Sequence, residues 1–133
     1  MDLDESILQI AFPEEDGIYK VVQFFVDNIP CMEFGRFGKT DHSFLVAEFA
    51  KKIGVGIVGK DTPIGVLPFL SDEDRYKMPG MGRCELKMVQ EMRVAEFFGY
   101  STDYRIGISE EHLELSKSLT PSIRMWYNPK RKK

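Results

Sequence analysis

Apolar and polar positions along the chain change period several times, and each change marks a predicted element. Ile7 to Phe12 is short, β-branched and apolar, and Pro13 closes it; it reads as a strand. From Glu14 to Asn28 the polar residues Asp16, Lys20, Gln23 and Asp27 recur every three or four positions. Ile18, Val21, Val22 and Phe25 take the other side, so the pattern predicts a helix. Its β-branched residues favour a strand, but strict alternation breaks at Val21-Val22 and Phe24-Phe25.

The stretch Cys31 to Gly54 organises the reading. Pro30 to Gly35 reads as a strand, Arg36 to Thr40 as a basic loop, and Asp41 as the N-cap of a helix to Ile53, with Gly54 suited to its C′ position. Val46, Phe49, Ala50 and Ile53 share the apolar face. Phe44 lies beside the polar face, which suits contact with a neighbouring loop or a second subunit. Val55 to Val58 and Ile64 to Leu70 read as strands whose link is too short for a parallel crossover, so they form a hairpin. Pro68 demotes the second half to an edge or a turn. Ser71 to Arg83 reads as a long irregular loop, Cys84 to Phe98 as a helix and Tyr104 to Ile108 as a strand. Ser109 caps a last helix to about Leu119, and Ser122 to Tyr127 is a final strand.

Strands alternating with helices predict a compact three-layer α/β domain. It has a mainly parallel five- or six-stranded sheet, one hairpin and helices on the faces. The tetrapeptide Val46-Ala47-Glu48-Phe49 recurs at Val94-Ala95-Glu96-Phe97, a match short enough for chance.

Composition narrows the class. A chain of 133 residues with 43% hydrophobic and 29% charged residues makes one domain, 1–133, that buries a core without disulfide or metal. A net charge of −3 gives no overall pull toward nucleic acid. The one basic run, Lys130 to Lys133, is terminal, and 129–133 reads as a disordered tail. The acidic start, Asp2, Asp4 and Glu5, reads as a solvated end. Arg124, Trp126 and Lys130 give weak support for base stacking. No apolar run approaches the ~18 residues of a membrane span, and the acidic N-terminus lacks a signal-like basic region, so the expected location is cytoplasmic. Cys31 and Cys84, far apart and outside any CxxC, read as buried thiols in a reducing compartment. The two histidines have no partners at metal-ligand spacing.

One loop carries candidate chemistry. Gly35-Arg36-Phe37-Gly38-Lys39-Thr40 ends in GKT between a strand and a helix. A Walker loop needs its first glycine where Glu33 stands, so this loop is too short for a triphosphate cradle. A smaller anion site fits better, with Arg36 and Lys39 supplying charge and the backbone N–H groups after Thr40 supplying direction. The plain alternative is a tight turn whose glycines meet positive φ. In a wound sheet this loop and the 71–83 loop converge, bringing Asp72, Asp74, Arg75, Lys77 and Arg83 toward His42 and Lys39. The expected site then uses Arg36, Gly38, Lys39, Thr40, Asp74 and Arg83 for ligand binding and His42 and Asp72 as acid/base groups. Cys31 and Cys84 are weak nucleophile candidates; Cys84 gains only a helix start and a neighbouring Arg83. No motif names a cofactor or a reaction. The leading expectation is binding of a small anionic molecule, a nucleotide or phosphorylated metabolite. The alternative is a non-catalytic homo-oligomeric interaction or regulatory protein, resting on Phe44, the Met-rich stretch with Met78, Met81, Met88 and Met92, and the aromatic last strand, which would form a homodimer face.

Overall fold

The computed structural model describes residues 10–132. The strand expected from Ile7 falls largely outside that range, as do the acidic start and Lys133, and residues 10–12 carry no strand. The chain then enters a hairpin. Gly17–Val26 (β1) and Ile29–Arg36 (β2) pair antiparallel across Asp27 and Asn28, both at positive φ (49° and 68°). Two left-handed residues in a row match the twist of the flanking strands, and Asp and Asn tolerate that backbone.

Helix α1, His42–Ile53, follows. Asp41 caps it by accepting from the Phe44 N–H at 3.1 Å, and Gly54 closes it at φ 69°. Next come the hairpin strands Ile57–Thr62 (β3) and Gly65–Leu70 (β4), then Tyr76–Val89 (β5) and Met92–Phe98 (β6). Two-residue strands Tyr100–Ser101 (β7) and Ile106–Gly107 (β8) precede helix α2, Glu110–Lys117, and the last strand, Ile123–Tyr127 (β9).

The main sheet has five strands in the order β2-β1-β5-β6-β9, and only the β6–β9 pairing is parallel. This overturns the three-layer α/β expectation with its mainly parallel sheet: strands make up 49% of the structure and helices 16%. Two predicted helices are strands. Glu14–Asn28 is β1 with its turn, and Cys84–Phe98 is the β5–β6 hairpin, turning at Gln90 and Glu91 (φ 51° and 66°). The expected 71–83 loop is a short turn followed by the first half of β5, and the Tyr104 strand shrinks to β8.

Both faces of the sheet are covered, which explains the broken alternation. On one face Val22, Phe24 and Val26 meet Leu45, Phe49 and Ile53 of α1, with Phe24 and Phe49 stacked at 3.9 Å. On the other, Val21, Cys84, Leu86 and Phe97 meet Leu113 of α2 and Ile10. Cys31 and Cys84 lie in these two separate layers. Burial pushes the Cys31 thiol up to about 12 and that of Cys84 well above its ordinary range, so neither is a thiolate at neutral pH.

A buried polar lock fastens α2 to the sheet. The β1–β5 register slips between Gln23 and Phe25, and the Gln23 amide clasps Ser109: Nε2 donates to its carbonyl at 3.0 Å, and Oε1 accepts from its N–H at 2.8 Å. That pairing fixes which way the amide points. Nε2 therefore also faces Nδ1 of His112 at 3.2 Å and makes it an acceptor. The ring proton sits on Nε2, which donates to the carbonyls of Phe24 (2.9 Å) and Cys31 (3.0 Å). His112 is fully buried and neutral, and a second proton would set N–H against N–H.

Burial holds the proton affinity of both His112 and His42 below the ordinary value. The unfolded chain therefore takes up protons near pH ~6.5 before the folded protein does, and stability falls as the pH drops through that value. Glu33, raised by burial despite Lys52, acts in the opposite sense but closer to the carboxylate range. The expected result is a lower urea midpoint at about pH 5.5 than at about pH 7.5. An equal or higher midpoint at the acid end contradicts it.

After β9 the chain folds back over the α1 side of β5 and β6. Glu85 and Glu96 stand directly opposite each other, a repulsive cross-strand pair. Arg131 donates to both, at 2.7 and 3.2 Å, and stacks on Phe98 at 3.9 Å. Burial works against the Glu96 charge, but hydrogen bonds from Asn128, Arg131 and Lys87 outweigh it and hold the carboxyl below its usual range. Among the described residues, no helix is long and apolar enough to cross a membrane.

Candidate functional site

The first turn of α1 sits over the start of β1 and the middle of β5. Lys20 and Arg83 are register partners there, so both side chains leave the sheet on the α1 side. His42, the first residue of α1, donates from Nε2 to the Gly82 carbonyl at 2.9 Å. A carbonyl only accepts, so the proton is on Nε2 and the lone pair is on Nδ1. Nδ1 has no protein partner among the described residues, and none of their buried side-chain atoms is left unpaired, so it opens on solvent.

These groups line a cleft of about 120 Å³ whose walls are Lys20, Asp41, His42, Arg83 and the 100–103 turn. The turn is held by the Tyr104 N–H donating to Ser101 Oγ at 3.2 Å, and by the Tyr104 hydroxyl donating to the Pro68 carbonyl at 2.7 Å. Arg83 lies 4.3 Å over the ring of Phe37. Among the described residues neither Lys20 nor Arg83 forms an ion pair. Asp41 is occupied as N-cap: the Phe44 N–H, and then the Ser43 hydroxyl, hold its carboxyl below the usual range. Burial lowers the proton affinity of His42. The Gly82 hydrogen bond and Asp103 oppose that shift, while Lys20 and Arg83 add to it.

The structure brings some of the expected site together and separates the rest. His42 and Arg83 share the cleft, and Phe37 carries the basic loop up to Arg83. Arg36 turns away to pair with Glu15. Gly38, at φ 85°, and Lys39, whose N–H donates to the Arg36 carbonyl at 3.2 Å, form a tight turn. Thr40 packs where a Cβ on Gly35 would lie. None of these three lines the cleft.

Asp72 and Asp74 are elsewhere. They belong to the turn before β5, where the Asp72 carbonyl accepts from the Arg75 and Tyr76 N–H groups. Tyr76 pairs with Val26, and Arg36 pairs with Tyr19, at the opposite end of β1. Seven strand residues at ~3.3 Å each separate the two ends by about 23 Å. The two loops therefore do not face one crevice. Lys20 and Ser101 to Asp103 take the missing places. The sequence pattern places Lys20 on a helix, and the 101–103 turn carries no motif. Among the described residues no cluster of His, Cys, Asp and Glu is placed to hold a metal.

Comparison with known proteins gave no match: no family model, no curated protein and no solved structure aligns with this chain.

Proposed function

We propose that the cleft between α1 and β5 binds the acidic group, phosphate or carboxylate, of a small molecule. The observation behind this reading is that Lys20, Arg83 and His42 line one cleft, with neither cation in an ion pair among the described residues. A cleft of about 120 Å³ takes an acidic headgroup, and the rest of a larger ligand lies outside it. Asp41 and Asp103 in the lining disfavour polyanions and favour ligands that also carry a donor or a positive group. Neutral His42 offers an acceptor to a protonated phosphate or hydroxyl. Nothing here requires a reaction.

A thermal-shift screen with small phosphates and carboxylates tests the proposal. At millimolar ligand, a hit should raise the melting temperature of the wild type by a few degrees, roughly the ~1–3 kcal/mol expected of ligand at ten to a hundred times Kd. Lys20→Gln with Arg83→Gln should abolish the shift while leaving the unliganded melting temperature nearly unchanged. A shift that survives both substitutions contradicts the site.

A further inference from the structure

We propose that β9 is a self-recognition edge, through which two copies pair antiparallel about Met125 into one continuous sheet. This is independent of the ligand cleft, which lies on another part of the sheet.

β9 ends the main sheet, and its outer side has no strand partner among the described residues. The ladder fixes which backbone groups are unused. Asn128 N–H donates inward to the Phe97 carbonyl at 2.8 Å, and Tyr127 is the register partner of Phe97. In a parallel ladder that geometry turns the N–H and C=O of Tyr127 and Met125 outward, with those of Trp126 and Arg124 engaged with β6. The Ile123 carbonyl also points outward, while its N–H donates to Thr120 at 3.3 Å.

A second copy satisfies this edge in one register. With Met125 opposite its own symmetry mate, the two residues exchange both backbone bonds, and the Tyr127 N–H donates to the carbonyl of the partner's Ile123. Side chains then match as well. Arg124 falls opposite Trp126 of the partner subunit, and Trp126 opposite the partner's Arg124. The positive guanidinium thus meets the negative face of the indole twice. Ile123 meets the partner's Tyr127 on the other face. In the single chain Arg124 is exposed and Trp126 is 43% exposed.

The other terminal strand is not built this way. β2 carries Pro30, which has no N–H to offer along that edge. In β9 the prolines stand outside the strand, at Pro121 and Pro129. An edge with aromatic side chains and no proline, bulge or lysine invites pairing.

Light scattering after size exclusion at about 100 µM should report a dimer. Arg124→Glu with Trp126→Glu, both surface changes, should give a monomer with unchanged far-ultraviolet circular dichroism. The register has its own test. An Arg124→Cys chain mixed with a Trp126→Cys chain should oxidise to a disulfide-linked pair, because these positions are directly opposed and not hydrogen-bonded. Neither chain alone should cross-link efficiently. A wild-type monomer at that concentration overturns the proposal. So does a dimer that survives the double charge substitution, or equal cross-linking in all mixtures.

Discussion

Replacing His112 with alanine should destabilise the protein by about 4 kcal/mol, a large part of a small domain's total. The change removes the donor that reaches both the Phe24 and Cys31 carbonyls, and strips Gln23 Nε2 of its second acceptor. It also opens a cavity beside Phe25, whose ring lies 4.9 Å from the imidazole. His112→Phe separates the two costs. It fills the volume but offers no hydrogen bond, so it should still cost about 3 kcal/mol. Urea unfolding measures both, and amide exchange should show residues 109–117 opening first. If phenylalanine is tolerated as well as histidine, the site is a packing site and the polar lock has no energetic role.

Gly80→Ala should be comparably damaging, at about 3 kcal/mol or more. Gly80 sits under the same lock. A Cβ there would run into Gln23 Oε1, lie 2.6 Å from the Ser109 nitrogen and 2.9 Å from the Gly107 carbonyl oxygen. Two of these neighbours are backbone, so no rotamer change relieves the contact; the 107–109 segment must lift away, and α2 with it. Gly56→Ala is the control, since its nearest neighbour would be Ser71 Oγ at 3.5 Å, and it should be almost neutral. Because Gly80→Ala and His112→Ala disrupt one unit, their combined cost should fall short of the sum. Additive losses contradict the idea that residues 23, 80, 109 and 112 act together.

The same residues show why the sequence misleads. Gln23 and Lys20, three apart among apolar neighbours, imitate the polar face of a helix. Gln23 is instead fully buried, and its partner is 86 residues away. No local pattern carries that contact. The doublets Val21-Val22 and Phe24-Phe25 break the alternation of a half-exposed strand, but β1 has a covered face on each side. The β5–β6 turn uses Gln90 and Glu91 without glycine, so its helix-favouring flanks outweighed the turn signal. Val-Ala-Glu-Phe is helical at 46–49 and extended at 94–97, so tertiary packing overrode propensity.

Several local signals match the structure. Asp41 and Gly54 cap α1, Ser109 caps α2, and the β3–β4 link makes a hairpin. Of the candidate site, His42 and Arg83 share one cleft, while Asp72 and Asp74 depended on a topology that the chain does not adopt. Lys20 reaches the cleft only through the β1–β5 register, which one-dimensional spacing does not encode.

The most direct measurement is a proton–nitrogen spectrum of the His42 ring during titration with inorganic phosphate at fixed ionic strength. Binding should move the Nδ1 resonance along a saturable curve and raise the proton affinity of the ring, because an anion beside it favours the charged form. The Arg83→Gln protein should show neither change. Shifts that track salt alone, or that appear equally without Arg83, contradict an acid-binding cleft at this position.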